Sequence, residues 1–184
     1  MSLARRGARA VGIDVSRTQL GRARELMRTG RRTVPLVLGN AERLPFGAAM
    51  FDLVFCDWGA LSFTDPRRTV PECARVLRRG GRLVFAAASP FSLVAWDRAR
   101  DRLGRTLRRE YFGQHRFEFR DTEPVEFRLS FGDWVALFGR SGLSVERLVE
   151  TRPPSGRSSA YLSQKANEWA RRWPLECLWR LRKD

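Results

Sequence analysis

Apolar and polar residues along the first half of the chain follow a pattern of short strands separated by helices. The predicted strands lie at 9–16, 34–38, 51–56 and 82–87. Between them, apolar residues at helical spacing predict helices over 17–28 and 66–78, the first capped by Ser16 and the second by Asp65. Alternating strands and helices predict an α/β fold, Rossmann-like in class, with a mostly parallel sheet flanked by helices.

The pattern changes in the second half of the chain. It predicts a helix at 91–110, an extended and loop-like stretch at 112–131, a helix at 132–142, a strand at 143–150 and a tryptophan-rich helical tail at 163–182 broken at Pro174. No linker divides the sequence, so we expect a single domain over 1–184.

Composition excludes several classes of protein. Apolar residues make up 43% of the chain, which excludes global disorder. The single histidine excludes a site that needs two imidazoles, and the three dispersed cysteines favour neither a disulfide framework nor a zinc site, so we expect no metal. The absence of a long apolar run or signal peptide leads us to expect a cytoplasmic protein.

The net charge of +15 suggests an anionic partner, but its distribution weakens that interpretation. Nearly all the basic residues are arginines, and they are scattered over different predicted elements. No arginine-rich stretch is interleaved with aromatic residues as in a nucleic-acid stacking platform. We therefore do not expect nucleic acid as the main partner.

Polar residues follow three of the predicted strands, where open parallel sheets bind ligands. Asp14 ends the first strand, Asn40 and Glu42 follow the second, and Asp57 follows the third. A carboxylate in such a position suits a ribose, because its two oxygens can accept hydrogen bonds from both vicinal hydroxyls.

Four segments in register, 11–16, 39–46, 51–56 and 76–85, resemble the small-molecule branch of the class I S-adenosylmethionine-dependent methyltransferases. The resemblance implies a cofactor-binding half over 1–90 and a substrate-side region over 91–184. It further implies a set of residues around S-adenosylmethionine, which consists of Asp14, Val15, Asn40, Ala41, Glu42, Asp57 and Trp58. In this set Asp14 would bind the ribose, and Asn40 and Ala41 would contact the adenine.

The sequence departs from that family upstream of Asp14. The family places a strand and a glycine-rich loop there, and this sequence has no counterpart of either. We expect a sheet that lacks its first strand and exposes apolar surface, from a fragment or a degenerate enzyme. We also expect the 184-residue chain to bind S-adenosylmethionine weakly or not at all.

His115 is the candidate general base, because it is the one imidazole and lies in an aromatic, loop-like stretch. A packed or solvated loop histidine is the plainer alternative. The acceptor pocket would be formed by 87–130 and the tail. Aromatic residues suggest an apolar or aromatic acceptor there: Phe91, Trp96, Tyr111, Phe112, Phe117 and Trp134. The tail tryptophans either cover the sheet or bind a partner or membrane surface.

Two functions of other classes remain as alternatives to methyl transfer to a small molecule. A non-catalytic basic module would bind an anionic partner such as nucleic acid. A nicotinamide-dependent oxidoreductase would also use an acid after a strand, although 40–46 and the Gly80-Gly81 pair fit methyl transfer better.

Overall fold

The structure is a computed structural model that describes residues 4, 6–28, 30, 33–97, 100, 102–118, 125–160 and 162–184. The chain divides into two compact units, residues 1–46 and 47–184. The expectation of one domain with two functional halves stays a prediction.

The first unit is a βαβ arrangement. It contains β1 (Gly12–Asp14), α1 (Arg17–Arg28) and β2 (Leu36–Leu38). The two strands pair in parallel, with Asp14 opposite Leu38. The bounds predicted for α1 are confirmed, whereas both strands are shorter than predicted because only three residues of each are in register.

The second unit contains the remaining elements, which are β3 (Phe51–Asp57), α2 (Ala60–Phe63), α3 (Pro66–Val76), β4 (Leu77–Ala88), α4 (Pro90–Val94), β5 (Trp96–Asp97), β6 (Arg102–Leu103), β7 (Arg116–Phe117), β8 (Glu126–Phe127), α5 (Phe131–Arg140), β9 (Leu143–Glu150), α6 (Gln164–Ala170) and β10 (Glu176–Lys183). Its main sheet has the order β3-β4-β10-β9. Strand β4 pairs in parallel with β3, and β10 is antiparallel to both β4 and β9, so this sheet is mixed rather than mostly parallel. The α/β, Rossmann-like class is confirmed.

Helix α3 connects β3 to β4 and covers one face of the sheet. The Asp65 side chain accepts a hydrogen bond from the Arg67 backbone N–H at 2.9 Å, which confirms the predicted cap. Helix α3 ends at Val76, two residues before the predicted end at 78, and Gly80 and Gly81 lie in β4. A Cβ on Gly81 would come within 3.1 Å of the Phe51 carbonyl oxygen, so this position requires glycine for the strands to approach.

The predicted helical tail is wrong beyond α6. Residues 176–183 form β10, in the interior of the sheet. Cys177, Trp179 and Leu181 are buried and alternate with exposed residues, which is the period of a strand. Their apolar side chains pack on the helix-covered face, so burial decides the conformation of this segment.

The prediction of a long helix at 91–110 is also wrong. Among the described residues of this range only α4 is helical, and Trp96 of β5 pairs with Leu103 of β6 in an antiparallel ladder. The expectation of an extended, loop-like stretch is met by the hairpin of β7 and β8, with residues 119–124 outside the described residues. Helix α5 lies within about a residue or two of the predicted bounds, and β9 matches them.

The core of the second unit is aromatic. Phe85 of β4 packs against Trp134 and Phe138 of α5 with ring centroids 5.4 and 6.1 Å apart. Trp179 meets Phe138 at 5.1 Å. Among the described residues, no helix is long and apolar enough to cross a membrane, and no group of three metal-ligating side chains comes together.

Candidate functional site

The first unit places Asp14 and Asn40 side by side. They follow or end two neighbouring parallel strands, so both lie at the carboxyl edge of this small sheet. The Gly39 backbone N–H donates to the Asp14 carbonyl oxygen at 3.0 Å, which ties the two strand ends together. The structure therefore brings these two candidate site residues close together.

The Asp14 carboxylate is half-buried, and one of its two oxygens accepts a hydrogen bond within the protein. Its Oδ1 accepts a hydrogen bond from the Ser16 backbone N–H at 2.8 Å. Within the described part of the chain, it takes part in no ion pair. The other carboxylate oxygen therefore keeps its capacity to accept a hydrogen bond, and no cation among the described side chains neutralises the group.

The Asn40 side chain forms a local turn. Its Oδ1 accepts the Glu42 backbone N–H at 2.9 Å, and its carbonyl oxygen accepts the Arg43 N–H at 3.1 Å. The Asn40 side-chain amide nitrogen can donate a hydrogen bond to a ligand. Ala41 is half-buried in the same turn, and Val15, beside Asp14, is 73% exposed, which gives this edge an apolar surface next to its polar groups.

In the second unit, Asp57 and Trp58 lie at the carboxyl end of β3. Trp58 has a φ of 45°, a left-handed conformation that costs about 1–3 kcal/mol for a residue other than glycine. Its backbone N–H donates to the Ala86 carbonyl oxygen at 3.3 Å. Backbone strain of this kind concentrates at functional sites.

The cysteines are poorly suited to nucleophilic chemistry. Burial raises the pKa of the Cys56 thiol, and burial raises the pKa of Cys73 and of Cys177 to about 12. Since the thiolate is the reactive form, these thiols stay protonated at neutral pH. They are free cysteines in the structure.

His115 is held by Asp65, the cap of α3. The imidazole Nε2 lies 3.0 Å from Asp65 Oδ1, and the ring meets Phe127 edge-on at 5.4 Å. Burial pushes the pKa of Asp65 upward, but hydrogen bonds from His115 and the Arg67 backbone outweigh it, so the pKa lies below its usual value. An ionised carboxylate only accepts, so Nε2 carries a proton and neutral His115 keeps Nδ1 as its basic atom.

The pairing of Asp65 with His115 is absent from the sequence-based prediction, which assigned Asp65 only a capping role. The two residues are 50 positions apart, and no local pattern signals their contact. Gln114, beside His115, is 2% exposed, and neither polar atom of its side chain has a hydrogen-bond partner among the described residues. A buried amide without a hydrogen bond destabilises the folded state, so Gln114 is an exception to the usual pairing of buried polar groups.

The aromatic residues predicted to line an acceptor pocket are dispersed. Trp134 is part of the core, and Phe112 is exposed. The Tyr111 hydroxyl accepts a hydrogen bond from the Phe131 backbone N–H at 3.0 Å, so it anchors the start of α5. Core packing and local anchoring thus account for two of these residues.

The comparisons with known proteins agree with the sequence motifs. Residues 1–85 match the family model described as a methyltransferase domain. The demethylmenaquinone methyltransferase of Thermotoga maritima is 37% identical over 79 residues, which are 43% of this chain and 33% of that protein. The chain thus matches about a third of the length of that relative.

Solved structures share the fold at lower identity. An S-adenosylmethionine-dependent methyltransferase from Mesorhizobium loti superposes with a TM-score of 0.73 at 22% identity, over 94% of this chain and 79% of that one. Geranyl diphosphate C-methyltransferase from Streptomyces coelicolor, solved with S-adenosyl-L-homocysteine, gives 0.64 at 18% identity, over 100% and 66% of the two chains.

Proposed function

We propose that the chain is a class I S-adenosylmethionine-dependent methyltransferase that binds S-adenosylmethionine and serves methyl transfer to a small molecule in the cytoplasm. The observation that carries this proposal is the Asp14 carboxylate at the carboxyl edge of β1, without a counter-ion among the described residues. The name of the Thermotoga relative supports a small-molecule acceptor.

The groups at this edge fit the adenosine part of the cofactor. Asp14 offers a carboxylate oxygen to the ribose hydroxyls, while Ser16 fixes the orientation of the carboxylate through the other oxygen. The Asn40 amide and the Ala41 backbone face the adenine, with Glu42 in the same turn. The exposed side chain of Val15 offers apolar contact to the nucleoside.

Asp57 and Trp58, at the carboxyl end of β3 in the second unit, are further candidates for ligand contact. The left-handed backbone conformation of Trp58 supports this assignment, because strain of this kind concentrates at functional sites.

The chain contributes alignment and proton removal to the reaction. When bound, S-adenosylmethionine supplies a methyl group on a sulfonium sulfur. The protein holds the reactants in line, which is the larger part of catalysis in a displacement of this kind. His115 accepts the proton of the acceptor on Nδ1, and Asp65 positions the ring and stabilises the resulting imidazolium.

Ligand-observed saturation-transfer NMR with S-adenosylhomocysteine tests the proposal, because it detects the weak binding expected of this chain. We expect saturation of the adenine and ribose protons with the wild-type chain. Asp14→Asn, which keeps an oxygen for the Ser16 N–H, should reduce the signal severalfold. Glu25→Gln, an exposed residue of α1, is the control and should leave it unchanged. Equal signals from the wild type and Asp14→Asn would refute the ribose role.

A further inference from the structure

A cavity of about 360 Å³ lies where α6 and the turn after it meet the residues around β6. Its volume falls in the range of small-molecule sites. Four basic side chains line it: Arg105, Lys165, Arg171 and Arg172. Among the described residues, Glu168 is the only acidic side chain in the lining, so these residues give the cavity an excess of positive charge.

These positive charges are poorly compensated. The side chains of Lys165 and Arg172 have no hydrogen-bond or ion-pair partner within the described residues. Arg171 donates to the Arg157 carbonyl oxygen at 3.3 Å, a neutral acceptor that leaves its charge in place. Glu168 instead accepts a hydrogen bond from the Gln164 side chain at 3.1 Å.

The cavity lining also contains two tryptophans, Trp169 and Trp173, which neighbouring groups hold in place. The rings of Trp169 and Trp173 lie 5.5 Å apart, and Trp169 stacks on Phe91 at 6.2 Å. The Trp169 indole N–H donates to the Gly104 carbonyl oxygen at 2.7 Å. The Arg105 guanidinium lies 5.8 Å from the centre of the Trp173 ring, which holds this cation at the aromatic wall.

The chain topology places this cavity on the ligand-binding side of the sheet. One of its walls belongs to the segment that leaves the carboxyl end of β4, and the other to the segment between β9 and β10. The Ser89 N–H donates to the Leu175 carbonyl oxygen at 2.8 Å, which joins the two segments where β4 ends. Asp57 pairs with Ala86 at the same end of the sheet.

We propose that this cavity binds a small anion with a planar unsaturated body, its phosphate, sulfate or carboxylate held by Lys165 and Arg172 and its body laid against Trp173. Cations without an ion-pair partner among the described residues match the anionic group of such a ligand, and the indole of Trp173 matches its planar body. The claim that this cavity anchors the methyl acceptor rests on the proposed function. The claim that it binds an anion does not.

Calorimetric titration of the purified chain at constant ionic strength tests the inference, with phenyl phosphate as the probe. We expect phenyl phosphate to bind more tightly than inorganic phosphate, and phenol to give no measurable heat. The double variant Lys165→Gln/Arg172→Gln should weaken binding about tenfold or more, since two charge-assisted hydrogen bonds are lost. Arg140→Gln, an exposed cation of α5, is the matched control and should stay within about twofold.

Each other outcome decides against one part of the account. Equal weakening by the control and the double variant, or tighter binding of a single-stranded oligonucleotide than of phenyl phosphate through the same residues, would overturn the small-anion site. Phenyl phosphate binding without S-adenosylhomocysteine binding would support the site and remove its role as an acceptor anchor. The reverse result would leave the proposed function intact and overturn this inference. Unchanged circular dichroism shows that the variants are folded.

Discussion

The two faces of the four-stranded sheet differ sharply. On one face, Phe85 and Trp179 are almost fully buried, with Trp179 2% exposed, beneath α3 and α5. On the other face, Phe55 is 56% exposed and Leu178 is also exposed. The covered face therefore supplies the packing that holds the second unit together, and the open face contributes little to it.

The open face also carries charge. Glu146 of β9 lies 3.0 Å from both the Arg82 and the Arg180 Nε atoms, across three strands, with Arg182 at 4.0 Å. A register shift between Arg180 and Leu181 accompanies this cluster. Exposed ion pairs of this kind contribute little to stability.

Replacing Trp179 with alanine should give the largest effect. The change removes the ring that contacts Phe85, Phe131 and Phe138, so we expect a loss of about 3–5 kcal/mol in the free energy of unfolding. Urea denaturation followed by circular dichroism measures it. Leu178→Ala, one residue away on the open face, should cost under about 1 kcal/mol. Similar costs for both would contradict the difference between the faces.

Asp65 caps α3 and also contacts His115, and two variants of Asp65 separate these two roles. Asp65→Ala loses both the cap of α3 and the contact with His115, while Asp65→Ser keeps a capping oxygen. We expect Asp65→Ala to be less stable than Asp65→Ser by about 1 kcal/mol in urea denaturation. Equal stability of the two variants would show that the cap contributes nothing.

The stabilisation by Asp65 should depend on pH in a defined direction. Its pKa is lower in the folded protein, so the stabilisation is present above the unfolded pKa, about 3.9, and is lost as the pH falls through the folded value. The difference between the wild type and Asp65→Ser should therefore shrink in acid. A difference that persists at the lowest pH would mean that it does not come from the ionised carboxylate.

Glu146→Gln should have the smallest effect, seen as a slight fall in melting temperature at low salt that disappears at high salt. A hydrogen bond from Arg82 is the main reason that the pKa of Glu146 lies below its usual value, with Arg180 and Arg182 adding to it. The stabilisation is accordingly present above the unfolded pKa and is lost as the pH falls. A large loss that is insensitive to salt would place this cluster among the structural interactions of the core.

The pattern of apolar and polar residues predicted the helices and strands whose formation depends on neighbouring residues in the sequence. Helix α1 follows Ser16, and β9 begins with alternating apolar and polar residues, and both have their predicted bounds. Strand β10 was missed because the spacing of its tryptophan and leucines suits a helix as well as a strand, and burial between β4 and β9 decides between them.

In the candidate site, too, some features follow from the sequence and others appear only in the folded structure. The proximity of Asp14 and Asn40 was predictable, because neighbouring parallel strands end at the same edge of a sheet. The contact of His115 with Asp65 and the cavity beside Trp173 join segments far apart in the chain, and only the folded structure reveals them. The low expectation for nucleic acid stays a prediction.

The most direct test of the central claim is whether Asp14 recognises the ribose of a nucleoside. Saturation-transfer NMR in which adenosine and 2′-deoxyadenosine compete for the chain measures this. We predict that the wild type prefers adenosine and that Asp14→Asn loses much of that preference, because a carboxylate oxygen accepts the hydrogen bond of the 2′-hydroxyl. Equal binding of the two nucleosides by the wild type would contradict the account.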